Sequence, residues 1–269
     1  MNRNLFFLEL RKNLTSLIIW TVIITTLISV TMLVYPTFIR NQSKFMGMLS
    51  IVPKEALQFK GISNFNDLLS ALGFYAVNNV IYMMVLGSIF ATVLASNIIL
   101  KEEYDKTAEY LMTRPLSRSE IFSSKTSVIL INVFLLNLVT TLAGFICLEL
   151  VKKASFSIGS FLILAFYTFL LNILFGSIGL FISTLVKRAR PVTTSAIGIV
   201  LVFYFIYTIS KITTGISGLG YLSPFKYVDM NAASSDYSLN ILYLAYFVLL
   251  SVLFVFFSYR IYVKKDIYT

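Results

Sequence analysis

The side chains that could carry acid, base or ionic chemistry gather in one run, KEEYDKTAEYLMTRPLSRSEIFSSK at 101–125. It holds Lys101, Glu102, Glu103, Asp105, Lys106, Glu109, Arg114, Arg118, Glu120 and Lys125. A membrane-embedded lipid-modifying enzyme would need such a cluster of ionisable groups at one membrane face. This one contains neither His nor Cys, and its order suits a docking helix better. Elsewhere there is no GxSxG, no HExxH and no carboxylate pair within an apolar stretch that could divide acid and base roles. With no His and a single cysteine, Cys147, the usual zinc, copper and haem sites lack their ligands and no internal disulfide can form. No Gly-Lys dipeptide occurs, which excludes a Walker A phosphate loop in this chain.

The elements that must position this run are apolar. The 269-residue chain is 58% hydrophobic and 13% charged, whereas a soluble domain carries about 25% charged residues to cover its surface. Residues 13–39, 68–100, 126–148, 154–186, 191–210 and 237–259 contain no Asp, Glu, Lys or Arg. Each is long enough, at about 1.5 Å per residue, to cross a hydrocarbon core of about 30 Å as a helix. A barrel would show alternating strands of about ten residues instead of solid apolar runs. The expected fold is all-α integral membrane, with six spans near 14–35, 71–99, 126–149, 158–186, 191–210 and 239–262. The first run is longer than a signal-peptide core and no small-x-small cleavage site follows it, so it is expected to stay as a permanent helix.

Orientation follows from the cations. With the N-terminus inside, Arg3, Arg11, Lys12, Lys101, Lys106, Arg114, Arg118, Lys125, Lys187, Arg188, Arg190, Arg260, Lys264 and Lys265 face the cytoplasm. Only Arg40, Lys44, Lys54, Lys60, Lys152, Lys153, Lys211 and Lys226 then face outward. The positive-inside rule therefore predicts a multi-pass protein of the cell membrane with both termini cytoplasmic. It also accounts for the net charge of +10, since the cations are scattered beside membrane helices and form no patch for a nucleic acid.

Between the spans, residues 40–67 form an outer loop in which PKEALQFKG reads as a short helix, with Pro53 in its first turn and Gly61 past its end. The second outer loop, 211–236, is rich in Gly, Ser and Pro and predicts turns and short helical pieces. No ionisable residue lies inside a span; Glu149 sits at the outer end of the third, within reach of water. Asn78, Asn79, Asn132, Asn137 and Asn172 are the main polar side chains within the spans, and interhelical hydrogen bonds are their expected role in preference to substrate contact. Gly87, Ala91 and Ala95 on the second span, and Gly179 and Ser183 on the fourth, recur every four residues and mark helix interfaces, within the chain or between subunits.

Within 101–125, Tyr104, Ala108, Leu111 and Met112 recur at helical spacing, Pro115 ends that helix near Thr113, and Ser117 with Glu120 has the form of a capping box opening the third span. A short helix lying across the inner membrane face is the result. A solvated loop that only satisfies the charge rule would need far fewer residues.

EEYDKTAEYLMTRPLSR followed by IFSSK resembles the signature of ABC-2 type transporter permeases, the membrane subunits of bacterial ABC exporters. Glu103, Thr107, Glu109, Leu111, Pro115, Arg118 and Lys125 occupy its places; Lys106 stands where Gly is usual and Leu111-Met112 where Leu-Leu is common. YLSPFKYVD at 221–229 is similar to the family's segment before the last span. The resemblance implies a cytoplasmic coupling helix between the second and third spans and an N-terminal interfacial helix in NRNLFFLELRKN. It implies docking on a separate ABC ATPase subunit through Glu103, Thr107, Glu109, Leu111, Met112, Arg114, Pro115, Arg118 and Lys125, with ATP and Mg bound by that partner and no cofactor in this chain. It further implies pairing with a second permease copy or a related permease. The competing reading without transport is a six-span assembly or receptor protein that binds a partner through the same loop.

Overall fold

The computed structural model describes residues 2–51, 53, 68–104, 116–152, 154–186, 192–212, 214–228, 230 and 237–264. They form helices α1 (Arg3–Arg40), α2 (Gln42–Ile51), α3 (Ala71–Tyr104), α4 (Arg118–Val151), α5 (Ile158–Leu185), α6 (Thr193–Ile212) and α7 (Ile241–Lys264), with two 3₁₀ segments, Thr214–Leu222 and Pro224–Tyr227. Six of these, all but α2, are long and apolar enough to cross a membrane. The expected helix at 53–61 lies outside the described residues except for Pro53.

α3 is the axis of the bundle. Its most apolar stretch is 78% buried against 17% for α7, because it is apolar on every side and carries small residues where neighbours approach. Its most extensive partner is α5. At that contact a Cβ on Gly179 would stand 2.5 Å from the Thr92 carbonyl oxygen and 2.9 Å from its Cα. Ala91, Ala95 and Ser183 are fully enclosed. The two small-residue stripes thus face each other within one chain, bringing backbones together where lipid offers no hydrophobic incentive for association.

A polar seam crosses the same region. Ser88 donates to Asn172 Oδ1 at 3.2 Å, and Asn172 Nδ2 donates to Asn137 Oδ1 at 3.2 Å, linking α3, α5 and α4. Asn137 and Asn172 make the expected interhelical bonds. Asn78 and Asn132 instead donate to carbonyls of their own helices, Phe74 and Val128. Both side-chain polar atoms of Asn79 are buried without a partner among the described residues.

Two elements differ from expectation. The N-terminal stretch is helical but is no separate interfacial helix: α1 runs unbroken from Arg3 to Arg40. It contains no Gly, its one Pro, Pro36, falls near its far end, and Leu5, Phe6 and Glu9 are buried instead of lying on a bilayer surface. The two ends of the charged run are as expected: 101–104 continue α3, and 118–125 are the start of α4, opened by the Ser117–Glu120 capping box. The second difference is depth. The 3₁₀ segments fold back along α6: Ser223 Oγ donates to the Phe203 carbonyl at 2.7 Å, and the fully buried Phe225 packs on Phe175 with ring centroids 5.1 Å apart. Phe203 precedes the end of α6 at Ile212 by about 14 Å of helix rise, so this connection re-enters the bundle. Such backbone is tolerated at membrane depth only when enclosed by protein, and Phe225 is enclosed by Phe175, Tyr204 and Tyr207.

Candidate functional site

The start of α4 lies at the end of the bundle where Asn2 bonds Ser124 and Arg118 bonds Val263. Ser117 caps α4 from extended backbone, φ −73° and ψ 149°. Its hydroxyl accepts from the Glu120 amide at 3.2 Å and donates to Glu120 Oε2 at 2.9 Å, while its own amide donates to the same carboxylate oxygen at 2.9 Å. The reciprocal pair satisfies donors that a helix start leaves open. The Ser117 amide first, and its hydroxyl second, hold the Glu120 carboxyl below its ordinary range.

From this cap the first two turns of α4 fasten three other helices. Arg118 Nη1 donates to the Val263 carbonyl at 3.2 Å, in the last turn of α7. A cation at this last described turn meets the negative end of the helix dipole. One turn on, Phe122 contacts the rings of Tyr259 and Tyr262 on α7, with centroids 5.5 and 5.6 Å away. The Asn2 amide donates to the buried Ser124 hydroxyl at 2.9 Å, joining the start of α1 to α4, and Asn2 Oδ1 caps α1 by accepting from the Leu5 amide at 3.1 Å. Lys125 is 1% exposed, and its ammonium donates to the Ile98 carbonyl of α3 at 2.5 Å. Leu5, Phe6, Ile98, Ile99, Ile121 and Phe122 close an apolar cluster around these contacts. Glu9 is buried one turn along α1 and lies 3.6 Å from Lys12.

Of the residues singled out in the sequence, the structure brings Arg118 and Lys125 into this junction. Lys125, expected on the docking surface, is turned inward: from a helix that opens at Ser117, positions 121, 125 and 128 share the face that meets α3. Glu103 lies in the last turn of α3. Thr107, Glu109, Leu111, Met112, Arg114 and Pro115 lie outside the described residues. Sequence reasoning missed Asn2, Phe122, Ser124 and the Tyr259/Tyr262 pair. The helical register set by Ser117 was the signal available for the two on α4; nothing local marks the partners on α1 and α7.

Six apolar helices joined through small residues and asparagine amides define a multi-pass membrane protein. The chain belongs to the ABC-2 transporter family, since the model for "ABC-2 family transporter protein" matches residues 3–267, nearly the whole chain. It is accordingly the membrane component of a transporter. A search of curated proteins finds no match.

Proposed function

We propose that this chain is the permease subunit of an ATP-driven exporter, in which a separate ATPase subunit docks on the segment between α3 and α4 from the cytoplasm. The observation that carries this reading is the junction at the start of α4. Within eight residues, Arg118 to Lys125, that helix is bonded to α7, α1 and α3, so force applied just before Ser117 reaches four spans at once. ATP-driven closure of two ATPase subunits would shift the bundle between inward-open and outward-open arrangements, a rigid-body switch biased by differential binding. On this reading Leu111 and Met112 serve as apolar anchors, Glu109, Arg114 and Arg118 supply a polar rim, and Glu103 and Thr107 belong to the same docking segment. Arg118 is also tied to α7. Lys125 transmits from within. Six spans make half a transport path, so the working unit pairs this chain with a second copy or a related permease. The uncharged spans favour an amphiphilic cargo.

The test is co-purification from native membranes with the ATPase subunit. Leu111→Ala is expected to lower its recovery about tenfold or more, the loss typical of an interface anchor, while the purified permease keeps its helicity. Undiminished recovery with full ATP hydrolysis would overturn the docking assignment.

A further inference from the structure

A groove of about 490 Å³ runs between α4, α5 and α7, within the volume range of small-ligand sites. Leu130, Ile173, Gly176, Val252 and Phe256 are among its walls. Leu130, Val252 and Phe256 are 45%, 59% and 48% exposed, so the groove opens sideways, toward the bilayer. On α4 it extends from Phe122 to Val133, about 16 Å at 1.5 Å per residue, which is half of a hydrocarbon core of about 30 Å. Its length is therefore that of one leaflet. Chemistry changes sharply at the shallow end: Val252, Phe256, Arg260 and Lys264 follow one another every fourth residue along a single stripe of α7, two apolar residues and then two cations. The Arg260 guanidinium carbon lies 5.2 Å from the centroid of the Phe256 ring, which fixes the charge at the mouth of the groove. Among the described residues no carboxylate pairs with Arg260. Thr126 stands on the wall one turn inside Phe122, and its hydroxyl has no partner among the described residues.

We infer that this groove is a binding site for one anionic phospholipid of the leaflet at the charged end of the bundle. One acyl chain fills the slot between α4, α5 and α7, the headgroup phosphate meets Arg260 and Lys264, and an ester carbonyl lies at the depth of Thr126. The site requires only that the bundle span a bilayer, whatever path the cargo takes. Its consequence is mechanical: a lipid wedged between α4 and α7 braces the helices that Arg118 and Phe122 hold together at the charged end.

The full-length chain, purified in a mild detergent micelle, would be titrated with phosphatidylglycerol or phosphatidylcholine of identical acyl chains, and retained lipid counted by native mass spectrometry. The wild type is expected to hold one phosphatidylglycerol per chain, preferred over phosphatidylcholine about fivefold for each cation engaged. Arg260→Gln should reduce that preference about fivefold while lipid is still retained. Leu130→Trp, which fills the mouth, should lose both lipids, and Val252→Trp on the opposite wall serves the same purpose if the first variant does not fold. Equal retention of the two lipids by the wild type would overturn the proposal. So would undiminished retention by the filled variants, or a filled variant that changes only the oligomeric mass, which would make the groove a contact between copies.

Discussion

The Ser117 hydroxyl accepts from the Glu120 amide and, with the Ser117 amide, donates to the Glu120 carboxylate, so the cap is strongest while that carboxylate is ionised. Glu120 lies at the charged end, ahead of the apolar run that begins at 126. Its folded-state pKa is lowered from the ordinary 4.5, so its contribution is complete above that ordinary value and is lost as pH falls through the lowered folded one. Amide hydrogen exchange across 118–121, corrected for the intrinsic rate, should accelerate in that acid window. Ser117→Ala should show about fivefold faster exchange already at neutral pH, as expected for loss of an N-cap worth about 1 kcal/mol, but should keep an acid response, since the amide of residue 117 still donates to the Glu120 carboxylate. Glu120→Gln should abolish the acid response; an acid response that survives it would mean that another group controls the cap.

At the scale of elements, the α3–α5 contact is the least forgiving. A side chain at Gly179 would meet the Thr92 backbone, which cannot swing aside as a long side chain could. Gly179→Leu should therefore destabilise the bundle by about 1 to 3 kcal/mol or more, read as a lowered midpoint in denaturant titration of the solubilised protein. Gly198→Leu on α6, where nothing lies within 4 Å of an added Cβ, is the control and should stay within about 0.5 kcal/mol of wild type. Equal effects of the two substitutions would refute the close approach. The seam through Ser88, Asn172 and Asn137 crosses the same contact; such interhelical bonds contribute about 0.6 kcal/mol each in a membrane, so steric fit at Gly179 outweighs any one of them.

For the whole molecule, Asn2, Arg118 and Lys264 share one end of the bundle, and the cation count predicts that this end is cytoplasmic. In a Cys147→Ser background, Ser119→Cys should react with a membrane-impermeant maleimide only after the cells are opened, whereas Ala154→Cys at the opposite end should react in intact cells. Both positions are exposed. The reverse pattern would invert the topology and remove the access that a cytoplasmic ATPase needs.

Composition and local pattern alone determined that this chain crosses a bilayer six times as helices, because lipid forbids unpaired backbone and only long apolar helical runs meet that demand. They also determined where α4 starts, since a capping box is written in two residues three positions apart. The family resemblance carried by the charged run was legible for the same reason, as a linear string. What tertiary structure decided were matters of facing. Lys125 reads as a surface cation until the register of α4 turns it onto the Ile98 carbonyl. The small-residue stripes could have joined two subunits until Gly179 met Thr92 in the same chain. A Gly- and Ser-rich loop gives no sign of depth, and only the pocket formed by Phe175, Tyr204 and Tyr207 around Phe225 draws it into the bundle. Each of these depends on which elements are neighbours, a relation between residues 18 to 87 positions apart that no local spacing encodes.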